Sequence, residues 1–244
     1  MDVLIEKKKQ PPRIEIWRMF DRIARRYDLL NHLLSLGQDI RWRKKVARFL
    51  VNKYDQYILD LATGTGDQLL YMFSCSDRID RALGTDLALK MLDRGREKVK
   101  KRKLEDRIVL EEGDAENIQY PDNIFDAVTI SFGIRNLMSV ERSLSEMYRV
   151  LKPAGRVLIL EFSIPQNILM RSIYLFYFRY LLPFIGSVIS GDRYAYRYLN
   201  ETVEGFPYGD AFCQLLRESG FQNVSMYPQT FGIATIYCGD KSLN

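Results

Sequence analysis

Eight residues, Asp60-Leu61-Ala62-Thr63-Gly64-Thr65-Gly66-Asp67, combine two glycines one residue apart with flanking carboxylates. They follow the apolar run Tyr57-Ile58-Leu59 and precede a helix-like stretch from Gln68 to Ser74. A strand that turns into a helix through glycines brings backbone N–H groups close to a ligand with no side chain in the way. The turn lacks the Gly-Lys-Ser/Thr ending of a nucleotide-binding P-loop. It also lacks the third glycine of the dinucleotide fingerprint, because Leu69 stands there. Asp60 and Asp67 would repel a pyrophosphate, but they suit a ligand carrying an ammonium and a sulfonium, as S-adenosylmethionine does. Asp60, Gly64 and Gly66 are candidate cofactor contacts on these grounds.

Two more strand ends carry acids. Ala82-Leu83-Gly84-Thr85-Asp86 reads as a buried strand whose final carboxylate can accept hydrogen bonds from both ribose hydroxyls, and Leu87 follows at the same edge. Ile108 to Ala115 reads as another, where Asp114 can accept from an adenine amino group while the neighbouring backbone N–H addresses a ring nitrogen. Carboxylates at three strand ends place the ligand in the crevice of an open parallel sheet.

The elements that must position these groups alternate from Tyr57 onward. Strands are expected at 57–62, 82–86, 107–112, 125–131 and 155–162, with helices at 67–75, 88–102 and 138–151. That alternation implies parallel strands with right-handed crossovers. Val140, Leu144, Met147 and Leu151 form one apolar stripe on the last of these helices, which is expected to stop at Lys152-Pro153-Ala154-Gly155. A helix from Tyr208 to Ser219 and a hairpin of 224–227 with 232–238 complete the chain. Five alternating strands followed by a late hairpin is the seven-stranded, Rossmann-like arrangement of class I methyltransferases, an α/β fold whose last strand runs antiparallel.

Ahead of this domain, Ile16, Phe20, Ile23, Ala24 and Tyr27 recur at helical spacing, and Gly37 ends the pattern. A second helix, Arg41 to Val51, brings Trp42, Val46, Phe49 and Leu50 to one face. Residues 1–52 are therefore expected to form a helical cap over the crevice of a 53–244 domain, within reach of Tyr27, Asn31 and His32. The run Ile164 to Ser190 is strongly apolar, but Arg171, Arg179 and Pro183 interrupt it. A clean spanning helix of about 20 residues is excluded, leaving a buried helix or a surface for a long apolar ligand. It is expected to sit as an insertion around 164–200.

With 244 residues, 47% hydrophobic and 27% charged, the chain can bury one large α/β core. Cys75, Cys213 and Cys238 are odd in number and lack metal-ligand spacing, and His32 is the sole histidine, so no metal site is expected. Residues 1–10 hold Lys7-Lys8-Lys9 without an apolar core and cleavage site, so a cytoplasmic location is expected. The net charge of +5 concentrates between Lys90 and Lys103, where no aromatic residues are interleaved. A solvated helix face is the simpler account than a nucleic-acid groove.

Five segments together resemble the ubiquinone/menaquinone biosynthesis C-methyltransferases. They are Phe20 to Asn31, the glycine turn, Gly113-Asp114-Ala115-Glu116, Ser131-Phe132-Gly133-Ile134-Arg135-Asn136, and Tyr196-Arg197-Tyr198-Leu199. The resemblance implies methyl transfer from S-adenosylmethionine to a ring carbon of a prenylated quinol, either demethylmenaquinol or a polyprenyl methoxybenzoquinol. It implies cofactor contacts at Thr65, Asp86, Asp114 with Ala115, and Ser131. It departs at Ala154, where a second glycine is usual.

A ring carbon becomes nucleophilic once an ortho hydroxyl ionises, so one deprotonation must be assisted. Arg135 could stabilise the phenolate, hold a water that takes the proton, or pair with an acid to orient its loop. Asn136, Tyr196 and Glu201 are further candidates. The resemblance also points to peripheral contact with the inner face of the membrane through Ile168 to Ile189. It leaves a homodimer or association with other biosynthetic enzymes open. Two rivals remain: a methyltransferase of RNA or another small molecule, and a non-catalytic quinone carrier. The fourth strand continues into Ser131-Phe132-Gly133 and not an Asn/Asp-Pro-Pro motif, which weighs against nucleic acid.

Overall fold

The computed structural model describes residues 13–184 and 193–243, with side chains for all of these except 13–15, 25 and 193–197. Seven strands form one sheet: β1 Gln56–Leu61, β2 Ile79–Asp86, β3 Ile108–Glu112, β4 Phe125–Ser131, β5 Leu151–Phe162, β6 Gln222–Gln229 and β7 Ala234–Asp240. Their order is β3-β2-β1-β4-β5-β7-β6, with β7 antiparallel to both neighbours. Between β1 and β4 the order reverses, and there the crevice opens.

Strands β1 and β4 are buried on both faces because helices cover both. Side chains alternate across the sheet. Ile58 therefore packs with Trp42 and Val46 of α2 (Gln38–Val46), Leu70 of α3 (Asp67–Cys75) and Leu92 of α4 (Leu89–Lys101). Leu59 packs on the other side with Met147 of α5 (Val140–Val150) and with Phe212, from a helix at Asp210–Glu218. Each such side chain contributes roughly 1.5–3 kcal/mol when fully buried.

Helix α5 starts where the Ser139 hydroxyl accepts the Arg142 amide at 3.2 Å. Its end differs from expectation. β5 begins immediately, and Lys152 to Gly155 are a bulge within it, marked by a register slip opposite Phe125 and Ala127. Ala154 takes φ +61° there, the left-handed region that favours glycine.

The cap helix α1 (Arg13–Leu34) lies over α4, joined by Asp21, which accepts the Lys90 amide at 2.9 Å. The apolar run forms α6 (Ile168–Phe176), which continues through a π-helical turn at Tyr177–Leu181. Tyr174, Phe178 and Leu182 recur every four residues and turn inward, whereas Ile168, Leu169, Ile173 and Phe176 are exposed. The run is thus neither wholly buried nor wholly surface. Ile185, Val188 and Ile189 lie outside the described residues. A further helix, α7 (Arg193–Gly205), precedes the Asp210–Glu218 helix, α8.

Candidate active site

The glycine turn closes β1 onto α3 through backbone geometry that only small residues permit. Gly64 and Gly66 have φ of +57° and +75°. A side chain at Gly64 would meet nothing, so that position is open to a ligand. The Gly64 amide donates to one Asp86 oxygen and the Ala88 amide to the other, both at 2.8 Å. Asp86 therefore ties the turn to the end of β2. Each of its oxygens keeps a lone pair for a ribose hydroxyl. Burial pushes its carboxyl above the usual range, against the backbone donors that favour the charged form.

Gly64, Asp86, Leu87, Ala115 and Ser131 line one crevice, roofed by Ile16, Trp17 and Phe20 of α1. The open glycine, the acid at the end of β2 and the apolar slot fit an adenosine-bearing cation. Other sequence candidates are engaged with groups of the protein itself. Asp60 is 1% exposed beneath the turn, accepting from Thr63 at 2.6 Å and from Thr129. Burial raises its pKa to about 6. The Thr65 hydroxyl donates to Asp28 of α1 at 2.6 Å and accepts from Lys98 at 2.9 Å. Gly66 packs against Leu110, and Asp114 accepts the Glu116 amide at 2.8 Å. None of these four lines the crevice. Asp67 also turns away, toward Lys98 and His32. The negative charge inferred from the pair flanking the turn is thus supplied at the crevice by Asp86.

Lys98, read from the sequence as part of a solvated run, is a tie instead. Its amine donates to Asp28 at 2.8 Å, to Thr65 and to Asp67, fastening cap, turn and α4 together. Spacing could not reveal this, because Asp28 is 70 residues away.

A second cavity of about 280 Å³ lies between α1, α2 and α6, and its wall is mostly apolar. Phe20, Tyr27 and Phe132 line both cavities and form the partition between them. Phe132 holds its place at φ +60°, just past β4. A side chain on Gly133 would come within 2.7 Å of the Ala62 Cβ, so this junction requires glycine.

Arg135 lines the second cavity, with one guanidinium nitrogen 2.6 Å from Glu161 and 2.7 Å from the Phe132 carbonyl. It lies 5.3 Å from the Phe162 ring centroid. Asn136 lines the first cavity, and its carbonyl oxygen has no partner. The Tyr196 side chain lies outside the described residues. Tyr27 and Asn31 line the second cavity, and burial raises the Tyr27 pKa, keeping it a neutral phenol. His32 Nδ1 lies 2.8 Å from Asp39, which also accepts from Ser35 at 2.7 Å.

Sequence reasoning missed Arg43 and Asp39, both buried and lining this cavity. The signal was present. Asp39, Trp42, Arg43 and Val46 share one helical face, so two charged residues fall on an otherwise apolar stripe. Arg43 Nε, Arg135 Nε and the Tyr174 hydroxyl are buried without hydrogen-bond partners, and all three residues line the cavity.

The sheet order and the crevice at its switch point define a class I S-adenosylmethionine-dependent methyltransferase fold. Solved structures agree: the [4+2]-cyclase SpnF aligns at a TM-score of 0.67 and 17% identity, covering 96% of this chain and 98% of its own. A possible histamine N-methyltransferase from Thermotoga maritima aligns at 0.64 and 16%, covering 93% and 100%.

The ubiE/COQ5 methyltransferase family model matches residues 5–241, and the chain belongs to that family. Demethylmenaquinone methyltransferase of Thermus thermophilus is 45% identical over 223 residues, 91% of this chain and 100% of the relative. The enzyme of that name from Bacteroides fragilis is 40% identical over 228 residues, 93% and 92% of the two chains. Ubiquinone/menaquinone biosynthesis C-methyltransferase UbiE of Geobacter sulfurreducens is 45% identical over 225 residues, 92% and 88%.

Proposed function

We propose that this methyltransferase uses S-adenosylmethionine to methylate a ring carbon of a prenylated quinol, demethylmenaquinol or a polyprenyl methoxybenzoquinol. The carrying observation is the second cavity: apolar walls, three unpartnered polar atoms, and a shared aromatic partition with the crevice. A ring bearing oxygens, with an apolar tail, satisfies such a wall. The names of the Thermus, Bacteroides and Geobacter relatives support the same substrate class.

Gly64, Asp86, Leu87, Ala115 and Ser131 would hold the cofactor, while Asp60, Thr65 and Gly66 brace the turn. When bound, the cofactor supplies a methyl group on a positively charged sulfur. A quinol hydroxyl gives up its proton, and Asp39 is the carboxylate that lines the cavity to take it. Asp39 passes the proton toward His32, whose side chain is 31% exposed. The ionised ring would then take the methyl at carbon, its C–H proton would return to the ring oxygen, and the single proton released would be the one passed to Asp39 and His32. Phe20, Tyr27 and Phe132 flank the path and exclude water from it.

No helix among the described residues is long and apolar enough to cross a membrane. The exposed side of α6 is the face we assign to the lipid surface, from which the inward stripe of Tyr174, Phe178 and Leu182 receives the tail. Methyl-labelled S-adenosylmethionine should label reduced demethylmenaquinol or its benzoquinol counterpart, and neither oxidised quinone. Label in no quinol, with cofactor binding intact, overturns the reading.

A further inference from the structure

We infer that Arg43 is a catalytic residue that holds the ring oxyanion formed when the quinol ionises. This rests on the quinol reading and names the group that stabilises its reactive form. Arg43 is 6% exposed, and no described carboxylate lies within ion-pair distance of it. A buried cation is ordinarily accompanied by a counter-charge or a full set of acceptors, because leaving water is costly. Here the Nε has no partner, and the guanidinium lies 5.1 Å from the Phe132 ring centroid. Phe132 is part of the partition across which the methyl moves. An unspent positive charge therefore stands beside the place where negative charge develops.

The surrounding charges are otherwise engaged. Asp39, one turn earlier on α2, is bonded to His32 and Ser35. Asp60, which feels the Arg43 charge, is held by two threonine hydroxyls. Tyr27 faces the same cavity as a neutral phenol, as does Tyr174, whose pKa burial also raises. Arg135 is neutralised by Glu161, so it supplies hydrogen bonds with little net field. Of the two arginines in the wall, Arg43 is the one whose charge a phenolate would meet unshielded. The cavity should accordingly prefer an ionisable hydroxyarene to its quinone or its methyl ether.

An alkyl-substituted nitrophenol tests this through the absorbance of its phenolate, with no turnover required. Bound to the wild-type protein, the probe should ionise about one pH unit lower than in water, as for an acid within a few ångströms of an opposite charge. R43M should bind the probe and abolish that shift, R43K should keep part of it, and circular dichroism checks that each is folded. A shift unchanged in R43M overturns the role of Arg43 and leaves the quinol reading standing. No binding by the wild-type protein overturns both. A second measurement needs no variant: at a pH above the probe's pKa, its methyl ether should bind about tenfold more weakly, as one pH unit of stabilisation requires. Equal binding of phenol and ether overturns the inference.

Discussion

Replacing Asp60 by Asn should change how stability depends on pH in a way that follows from its burial. The carboxyl is sealed beneath the glycine turn and titrates near 6 instead of the ordinary 3.8. Desolvation is the main cause, with the two threonine donors opposing it. A carboxyl whose folded pKa is raised contributes stability that is fully present below the unfolded value and lost as pH rises through the folded one. The displacement corresponds to roughly 3 kcal/mol, at about 1.4 kcal/mol per pH unit. Urea unfolding of wild type and D60N at steps from pH 3.5 to 7.5 isolates this site, because the other carboxyls are common to both. Wild type should lose about 3 kcal/mol relative to D60N across that window. An Asn amide can still bond one threonine hydroxyl, so the variant should fold. Parallel pH profiles for the two proteins would refute the assignment of a buried, reluctantly ionised Asp60.

Arg135→Ala leaves Glu161 buried without its counter-ion, and should cost about 3–5 kcal/mol in urea unfolding. The double variant R135M/E161Q should recover part of that, and a double variant as unstable as R135A would count against a shared ion pair. Lys98→Met cuts the tie between Asp28, Thr65 and Asp67. It should lower stability by about 1–2 kcal/mol and weaken S-adenosylmethionine binding by calorimetry, and unchanged values for both would show that the tie is idle. Ala154→Gly relieves the left-handed backbone in the β5 bulge, less the extra entropy glycine gives the unfolded chain. The melting temperature should rise by about 1–3 °C, and a fall would mean that the bulge tolerates alanine without strain.

The sheet was legible because its signals are local. The apolar strand runs, the helical stripe through Leu144 and Met147, and the two glycines each follow from one segment's own periodicity or backbone demands. Boundaries failed where tertiary contacts decide them, as at Lys152 to Gly155, where pairing with β4 continues the strand through what reads as a turn. The site was legible in part. Strand-end position put Asp86 at the crevice, yet the same reasoning put Asp60 there, and sequence does not tell which way a carboxylate faces. Thr129 and Thr63 draw Asp60 inward, while Lys98 draws Asp67 aside. The second cavity depends on packing α1 and α6 across about 140 residues, as the Tyr177 hydroxyl donating to the Leu34 carbonyl at 2.8 Å illustrates.

Methyl transfer between two separate cavities demands a junction narrow enough to exclude water and rigid enough to align three atoms. The chain builds that junction from backbone that ordinary residues resist. Ala62 at the end of β1 and Phe132 at the end of β4 both take left-handed conformations, with φ of +47° and +60°. Gly133 fits between them because it has no Cβ to strike Ala62. Left-handed Phe132 presents its ring to both cavities and its carbonyl to Arg135. Strain held by surrounding structure is characteristic of sites that must be preorganised. It also accounts for the Ser131-Phe132-Gly133-Ile134-Arg135-Asn136 segment as a unit: Ser131 lines the first cavity, Phe132 divides it from the second, and Arg135 lines the second. A substitution at Gly133 should therefore disturb both cavities at once in calorimetry, whereas R43M should leave S-adenosylmethionine binding unchanged and alter only how an acceptor ionises in the second cavity.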